Sequence, residues 1–170
     1  HERIAAGFNP RNLRDRQLFP EHIIEIQPTR PKGAKIVWEW HVWDHLIQDN
    51  DRTKANFGDP TAHPELIDVN CARGPGPDWM HTNSIDYNET LDQILLSVHA
   101  FDEIWIIDHS TTTAEAATHS GGRRGRGGDL LYRWGNPRNY DRGSPGDHRL
   151  WGQHDAHWKG DGASDILIFN

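Results

Sequence analysis

Two stretches of the chain are built alike. Asp78-Trp79-Met80-His81-Thr82-Asn83-Ser84 leads through Ile85-Asp86-Tyr87 to a turn at Asn88-Glu89-Thr90 and then an apolar run, Ile94 to Val98. Gln153-His154-Asp155-Ala156-His157-Trp158 leads to a turn at Gly160-Asp161-Gly162 and then Ile166-Leu167-Ile168-Phe169. Each is a polar strand, a tight turn and an apolar strand, and each has a histidine at its head. A chain that repeats such a unit stacks its copies rather than inventing a new core for each.

The strands around these units extend the pattern. Glu21–Gln27 alternates about Ile24 and Ile26, and Pro31-Lys32-Gly33 turns it into Ala34–Trp40, with Ile36, Trp38 and Trp40 expected on one face. Residues 81–87, 93–98, 103–108 and 129–134 read as four consecutive strands. Of these, Glu103–Asp108 is apolar on both sides, as in a strand between neighbours. Asp129–Gly135 resembles Ala34–Trp40, and Ile104–Asp108 resembles Ile23–Gln27. The expectation is an all-β chain with almost no helix. It comprises the outer strands of one unit (1–45), a long connection (46–77) that ends in the Gly/Pro hinge Arg73–Pro77, a complete unit (78–135) and the start of a third (136–170). Repeated four-stranded antiparallel units mark a β-propeller, of which this chain covers roughly two blades. The chain reads as partial at both ends, with exposed strand edges available for self-association.

Composition narrows the function. The net charge of −7 lacks the basic face that nucleic acid requires. The Gly121–Gly128 tract, rich in arginine, reads as a flexible hairpin tip. No run reaches membrane-spanning length, and the one cysteine, Cys71, has no internal partner. No phosphate-binding loop or dinucleotide glycine motif is present, so no nucleotide cofactor is expected. Twelve histidines are an excess, and many adjoin Asp or Trp. His41-x3-His45 and His154-x2-His157 imitate zinc spacings, but on strands neither spacing ensures a common face, and no metal is expected. Asp44, Asp49 and Asp51 lack the full spacing of a calcium loop and read as solvated carboxylates. His63–Leu66 is a candidate short helical turn. His81, Asn83 and His154 fall at the starts of innermost strands, where a propeller's channel lies, and His45, with His41 as competitor, could reach it from the long connection. Histidine there offers acid–base, ligand or nucleophilic chemistry, and Asn83 offers an amide to an oxyanion.

Asp78–Tyr87, Asp92–Ser97, Glu103–Ser110 and Gly152–Ala156 together resemble, in this order, segments of the bacterial aryl-sulfate sulfotransferases. The resemblance runs from about Ile36 to the end. It implies a six-bladed propeller, a periplasmic or secreted location, and sulfuryl transfer from a phenolic sulfate ester to another phenol through a sulfohistidine. Its small-molecule partners are therefore aryl sulfates and phenols. His154 matches the histidine that takes the sulfuryl group. His81 and Asn83 match groups that hold the sulfate oxygens and the leaving phenol, and His45 corresponds to an earlier channel histidine. The family places an arginine within Ser-x-Arg where this chain has His99. Competing readings are a noncatalytic propeller that binds or assembles, and a histidine-rich metal-dependent hydrolase.

Overall fold

The computed structural model describes residues 2–9, 19–71, 78–160 and 164–170. The Arg73–Pro77 hinge and the Asp161–Gly162 part of the last turn lie outside the described residues. The described chain is mostly strand, with two four-residue helices, α1 (Glu2–Ala5) and α2 (Thr113–Ala116).

Strands β1 (His22–Pro28) and β2 (Ala34–His41) form an antiparallel hairpin. Its register slips between Glu25 and Ile26, which pair with Trp38 and Ile36 and leave Val37 as the extra residue. Such a bulge breaks strict alternation. Trp38 and Trp40 are buried as expected, whereas Ile36 is half exposed. The long connection is less irregular than its prolines suggest. A 3-10 turn, Val42–His45, leads into β3 (Leu46–Ile47), which pairs in parallel with β4 (Ile67–Asp68). His63–Leu66 closes as a turn through the Leu66 N–H on the His63 carbonyl, at 3.1 Å, not as a helix.

The centre is a four-stranded antiparallel sheet of β5 (Thr82–Asn88), β6 (Gln93–Val98), β7 (Glu103–Asp108) and β8 (Tyr132–Trp134), in that order. A second hairpin follows, β9 (His154–Trp158) with β10 (Ile166–Phe169). Period two sorts the side chains of the central sheet. Ile94, Leu96 and Val98 of β6, with Trp105 and Ile107 of β7, join Trp38, Trp40, Ile67, Trp79, Met80 and Phe101 in one core. Leu95 of β6 and Ile104 and Ile106 of β7 join Leu150, Ala156 and Trp158 in the other. The sheet is thus covered on one face by the first hairpin and on the other by the last, and all six residues of β7 are buried. Complete burial of a large apolar side chain contributes about 1.5–3 kcal/mol, so the two clusters carry most of the cohesion.

The loop 109–131 is tied down. Thr112 and Glu115 form a capping box at the start of α2. The Arg/Gly tract is held by the Arg124 N–H on Asp108 Oδ2 (3.0 Å), the Arg123 N–H on Ser110 Oγ (2.7 Å) and the Gly127 N–H on the Gly121 carbonyl (3.0 Å). The flexible-tip expectation is corrected accordingly: the tract is a bonded loop packed against the end of β7.

Candidate active site

The strand ends carry the site. His81 precedes β5, His99 follows β6, and the Thr82–Val98 pairing sets the two side by side, with the His99 N–H on the His81 carbonyl at 3.3 Å. His81 has φ +49°, in the left-handed region that non-glycine residues seldom occupy. Backbone held there gathers at functional sites. Its ring meets the His99 ring edge to face, centroids 5.1 Å apart. The other side of His99 meets the His154 ring in the same way at 5.2 Å. Three imidazoles from three strand ends therefore make one continuous cluster, open to solvent at His81 and His154.

The tautomers follow from the partners. His154 Nδ1 lies 3.0 Å from the Gly152 carbonyl oxygen, which can only accept, so Nδ1 bears a proton and the lone pair of the neutral ring falls on Nε2. His81 Nδ1 is held by the Asp78 carboxylate, three residues earlier, which leaves Nε2 pointing away from that contact. Gly152, at φ +65°, is the close approach that makes room for His99: a Cβ there would stand 3.1 Å from His99 Nε2.

Strand β9 is anchored to the sheet from below. Gln153, fully buried, donates from Nε2 to the Glu103 carbonyl at 2.8 Å. Asn83 donates from Nδ2 to the Gln153 carbonyl at 2.7 Å, and its second amide hydrogen is left for another acceptor. Asn83 is thereby fixed one strand away from His154. Asp102, itself at φ +54°, accepts the Gly152 N–H (2.7 Å) and pairs with His148 Nε2 (3.1 Å), locking the loop before His154. Beneath, the Glu103 carboxylate takes Nε and Nη2 of Arg133, at 3.0 and 2.7 Å, with Trp105 Nε1 and Asn139 Nδ2 completing its shell. Burial pushes the Glu103 carboxyl above its usual range, against the pull of the Arg133 charge and these donors. Asp78, Asp102, Gly152 and Gln153 were not assigned roles from the sequence. The one available signal was Asp78 three residues before His81, a spacing that a tight turn brings into contact.

His45 and His41 do not enter the cluster. The 3-10 turn points the His45 ring inward, where it stacks on Trp40 (5.5 Å, 4°) and bonds Asp129 and the Ala116 carbonyl. His41 stacks on His22 and bonds Glu39. His157 bonds the Asp155 carbonyl, so neither short histidine spacing forms a ligand pair. Asp51 accepts from the backbone and hydroxyl of Thr53, as an ordinary turn carboxylate does.

Chemically, the arrangement offers an exposed imidazole, His154, in contact with His99, which in turn meets His81, with the Asn83 amide fixed one strand away. The family described as Arylsulfotransferase (ASST) matches residues 11–170. No curated protein and no solved structure matches the chain.

Proposed function

Since the chain belongs to the arylsulfotransferase family, we propose that His154, His81, Asn83 and His99 carry sulfuryl transfer from a phenolic sulfate ester to a phenol through a sulfohistidine. The observation that carries this reading is the hydrogen bond from His154 Nδ1 to the Gly152 carbonyl, which leaves Nε2 as the free nucleophile inside the three-imidazole cluster.

Neutral His154 Nε2 forms a bond to sulfur as the bond from sulfur to the phenolic oxygen breaks. The electron pair leaves with the phenolate, which takes a proton from a donor in the cluster or from water. His81, oriented by Asp78, and the second amide hydrogen of Asn83 stabilise the sulfate oxygens and the leaving oxygen. His99, between the two histidines, contributes positive charge when protonated. The acceptor phenol, giving its proton to the group or water that protonated the leaving phenolate, then attacks the same sulfur and expels neutral His154. Imidazole serves as both nucleophile and leaving group, so the reaction needs no nucleotide donor.

On the family resemblance, the sheets are blades of a six-bladed propeller, with residues 78–135 one whole blade, residues 1–45 and 136–170 parts of its neighbours, and residues 46–77 the connection. The periplasm or the cell exterior is the corresponding location. Ile24, Ile26, Leu167 and Phe169 lie exposed on the flanking hairpins, where further strands of the propeller, or a second copy, would cover them.

Turnover of p-nitrophenyl sulfate with phenol as acceptor tests the reading. His154→Ala should abolish transfer, a loss beyond the ~10²–10³-fold typical of removing one oxyanion donor. His81→Ala should leave a slow residual rate. Parental activity in His154→Ala would refute the sulfohistidine route. An inactive parent in correctly assembled protein would favour a noncatalytic binding propeller in which His99 stands where the arginine is lost.

A further inference from the structure

A second cluster lies apart from the three histidines. His45 Nδ1 stands 2.8 Å from Asp129 Oδ1, and His119 Nδ1 stands 2.7 Å from the same oxygen. The ligand atoms of the three residues all fall within 4.8 Å of one another. His45 Nε2 lies 2.9 Å from the Ala116 carbonyl, so Nε2 carries a proton. In a neutral ring Nδ1 would then have only a lone pair, aimed at a carboxylate oxygen in a site where His45 is fully buried. Two acceptors at that distance need either a proton, on the imidazole or on the carboxyl, or a metal ion between them.

A proton on Nδ1 would answer at the cost of a buried imidazolium. A divalent metal answers for both histidines at once. Imidazole Nδ1 on the metal with Nε2–H on a backbone carbonyl is the usual way a ligand histidine is oriented. The surroundings are shaped for it: Gly128 closes over His45 so tightly that a Cβ there would stand 2.5 Å from Nε2 and 2.1 Å from the Ala116 oxygen. Trp40 stacks on the other side of the ring and donates to the Gly128 carbonyl at 2.7 Å. We propose that His45, His119 and Asp129 bind a zinc-class divalent ion that fastens the 109–131 loop to the turn after β2.

Two imidazoles and a carboxylate suit Zn²⁺ over Ca²⁺ or Mg²⁺, which prefer all-oxygen shells. Bonds of about 2.1 Å in tetrahedral array put ligand atoms about 3.4 Å apart, so the two short contacts must open by about 0.6–0.7 Å, and the His45–His119 separation, within 4.8 Å, must settle near the same value. His119 also lines a cavity of about 540 Å³ with Trp43, Asp44 and His63, so one ligand of the site borders open space. The site is independent of the sulfuryl-transfer reading, since no member of it touches His81, His99 or His154.

The test uses the whole chain, treated with chelator and titrated with Zn²⁺ and, as a spectroscopic probe, Co²⁺. One ion per chain should bind, Co²⁺ should show the visible bands of a tetrahedral site, and Zn²⁺ should raise the melting temperature. His119→Ala, a change at a side chain 61% exposed, and Asp129→Asn should each weaken Zn²⁺ binding by about a hundredfold or more, at or beyond the upper end of what outer-shell losses cost. Circular dichroism checks that both variants keep the parental strand signal, and His154→Ala should bind Zn²⁺ as the parent does. Absence of stoichiometric binding would overturn the proposal in favour of a protonated His45. Binding that folded His119→Ala retains at parental affinity would overturn it too, by placing the metal elsewhere.

Discussion

At the scale of single residues, His99 is the position where this chain departs from the arginine its resemblance implies. It sits between His81 and His154, in ring contact with both. A histidine binds an oxyanion by charge only when protonated, whereas arginine is charged throughout and offers a planar fork to two oxygens. His99→Arg should therefore raise aryl-sulfate turnover. Turnover no higher than the parent's would mean that fixed charge at this position does not act on the sulfate. Asp68 supplies a pH effect, on stability. Desolvation raises its carboxyl from 3.8 to about 6, with the Asp49 and Asp141 charges adding to the rise and the Asn70 N–H opposing it. A carboxyl that binds its proton more tightly when folded stabilises below its unfolded value, and that contribution is lost as pH rises through about 6. Asp68→Asn removes the cost of the buried charge, so its stability relative to the parent should improve by roughly 2 kcal/mol between about pH 4 and about pH 7.5. Urea midpoints at the two pH values measure this, and an equal difference at both would contradict it.

At the scale of elements, the strands were legible because alternation and Gly, Pro, Asn and Asp punctuation both act within a few residues. Seven of the eight read strands begin and end within a residue or two of β1, β2, β5, β6, β7, β9 and β10. The start of β8 was not legible: the Leu130 N–H goes to the Glu65 carbonyl and Asp129 to two histidines, so the strand begins only at Tyr132. The β3–β4 pair, two residues a side, is too short to leave a period. In the site, the heads of repeated units pointed to His81 and His154. The inward turn of His45 was invisible because it depends on Asp129, far along the chain. The element beneath the cluster is β7, through Glu103 and its pair with Arg133 of β8. Arg133 also donates to the Pro64 and Leu66 carbonyls, so it ties the long connection to the sheet. Arg133→Met would leave Glu103 buried without its charge partner and cost about 3–5 kcal/mol. Chemical denaturation reads the loss. A change below about 1 kcal/mol, the range of exposed pairs, would show that the pair is far better solvated than its burial indicates.

At the scale of the whole molecule, the sheet order β5-β6-β7-β8 between two hairpins explains how strand ends far apart in sequence share a site. β9 runs beside β5, tied by Asn83 to Gln153, by Ser84 Oγ to the Ala156 carbonyl (3.2 Å) and by the Trp158 N–H to Asp86 Oδ2 (2.7 Å). Similar units set side by side put similar positions side by side, which is why a repeat in the sequence was informative about a site. Family membership rests on nearly the whole chain, and the chemistry proposed for it rests on a single nitrogen. The direct measurement is to mix the protein with p-nitrophenyl sulfate without acceptor, quench under alkaline conditions that preserve phosphoramidate-like bonds, and map modified peptides by mass spectrometry. The peptide containing His154 should carry one sulfuryl group, and the modification should disappear on adding phenol. A sulfuryl group on another residue, or none on His154 while nitrophenol is released, would contradict the nucleophilic role of His154.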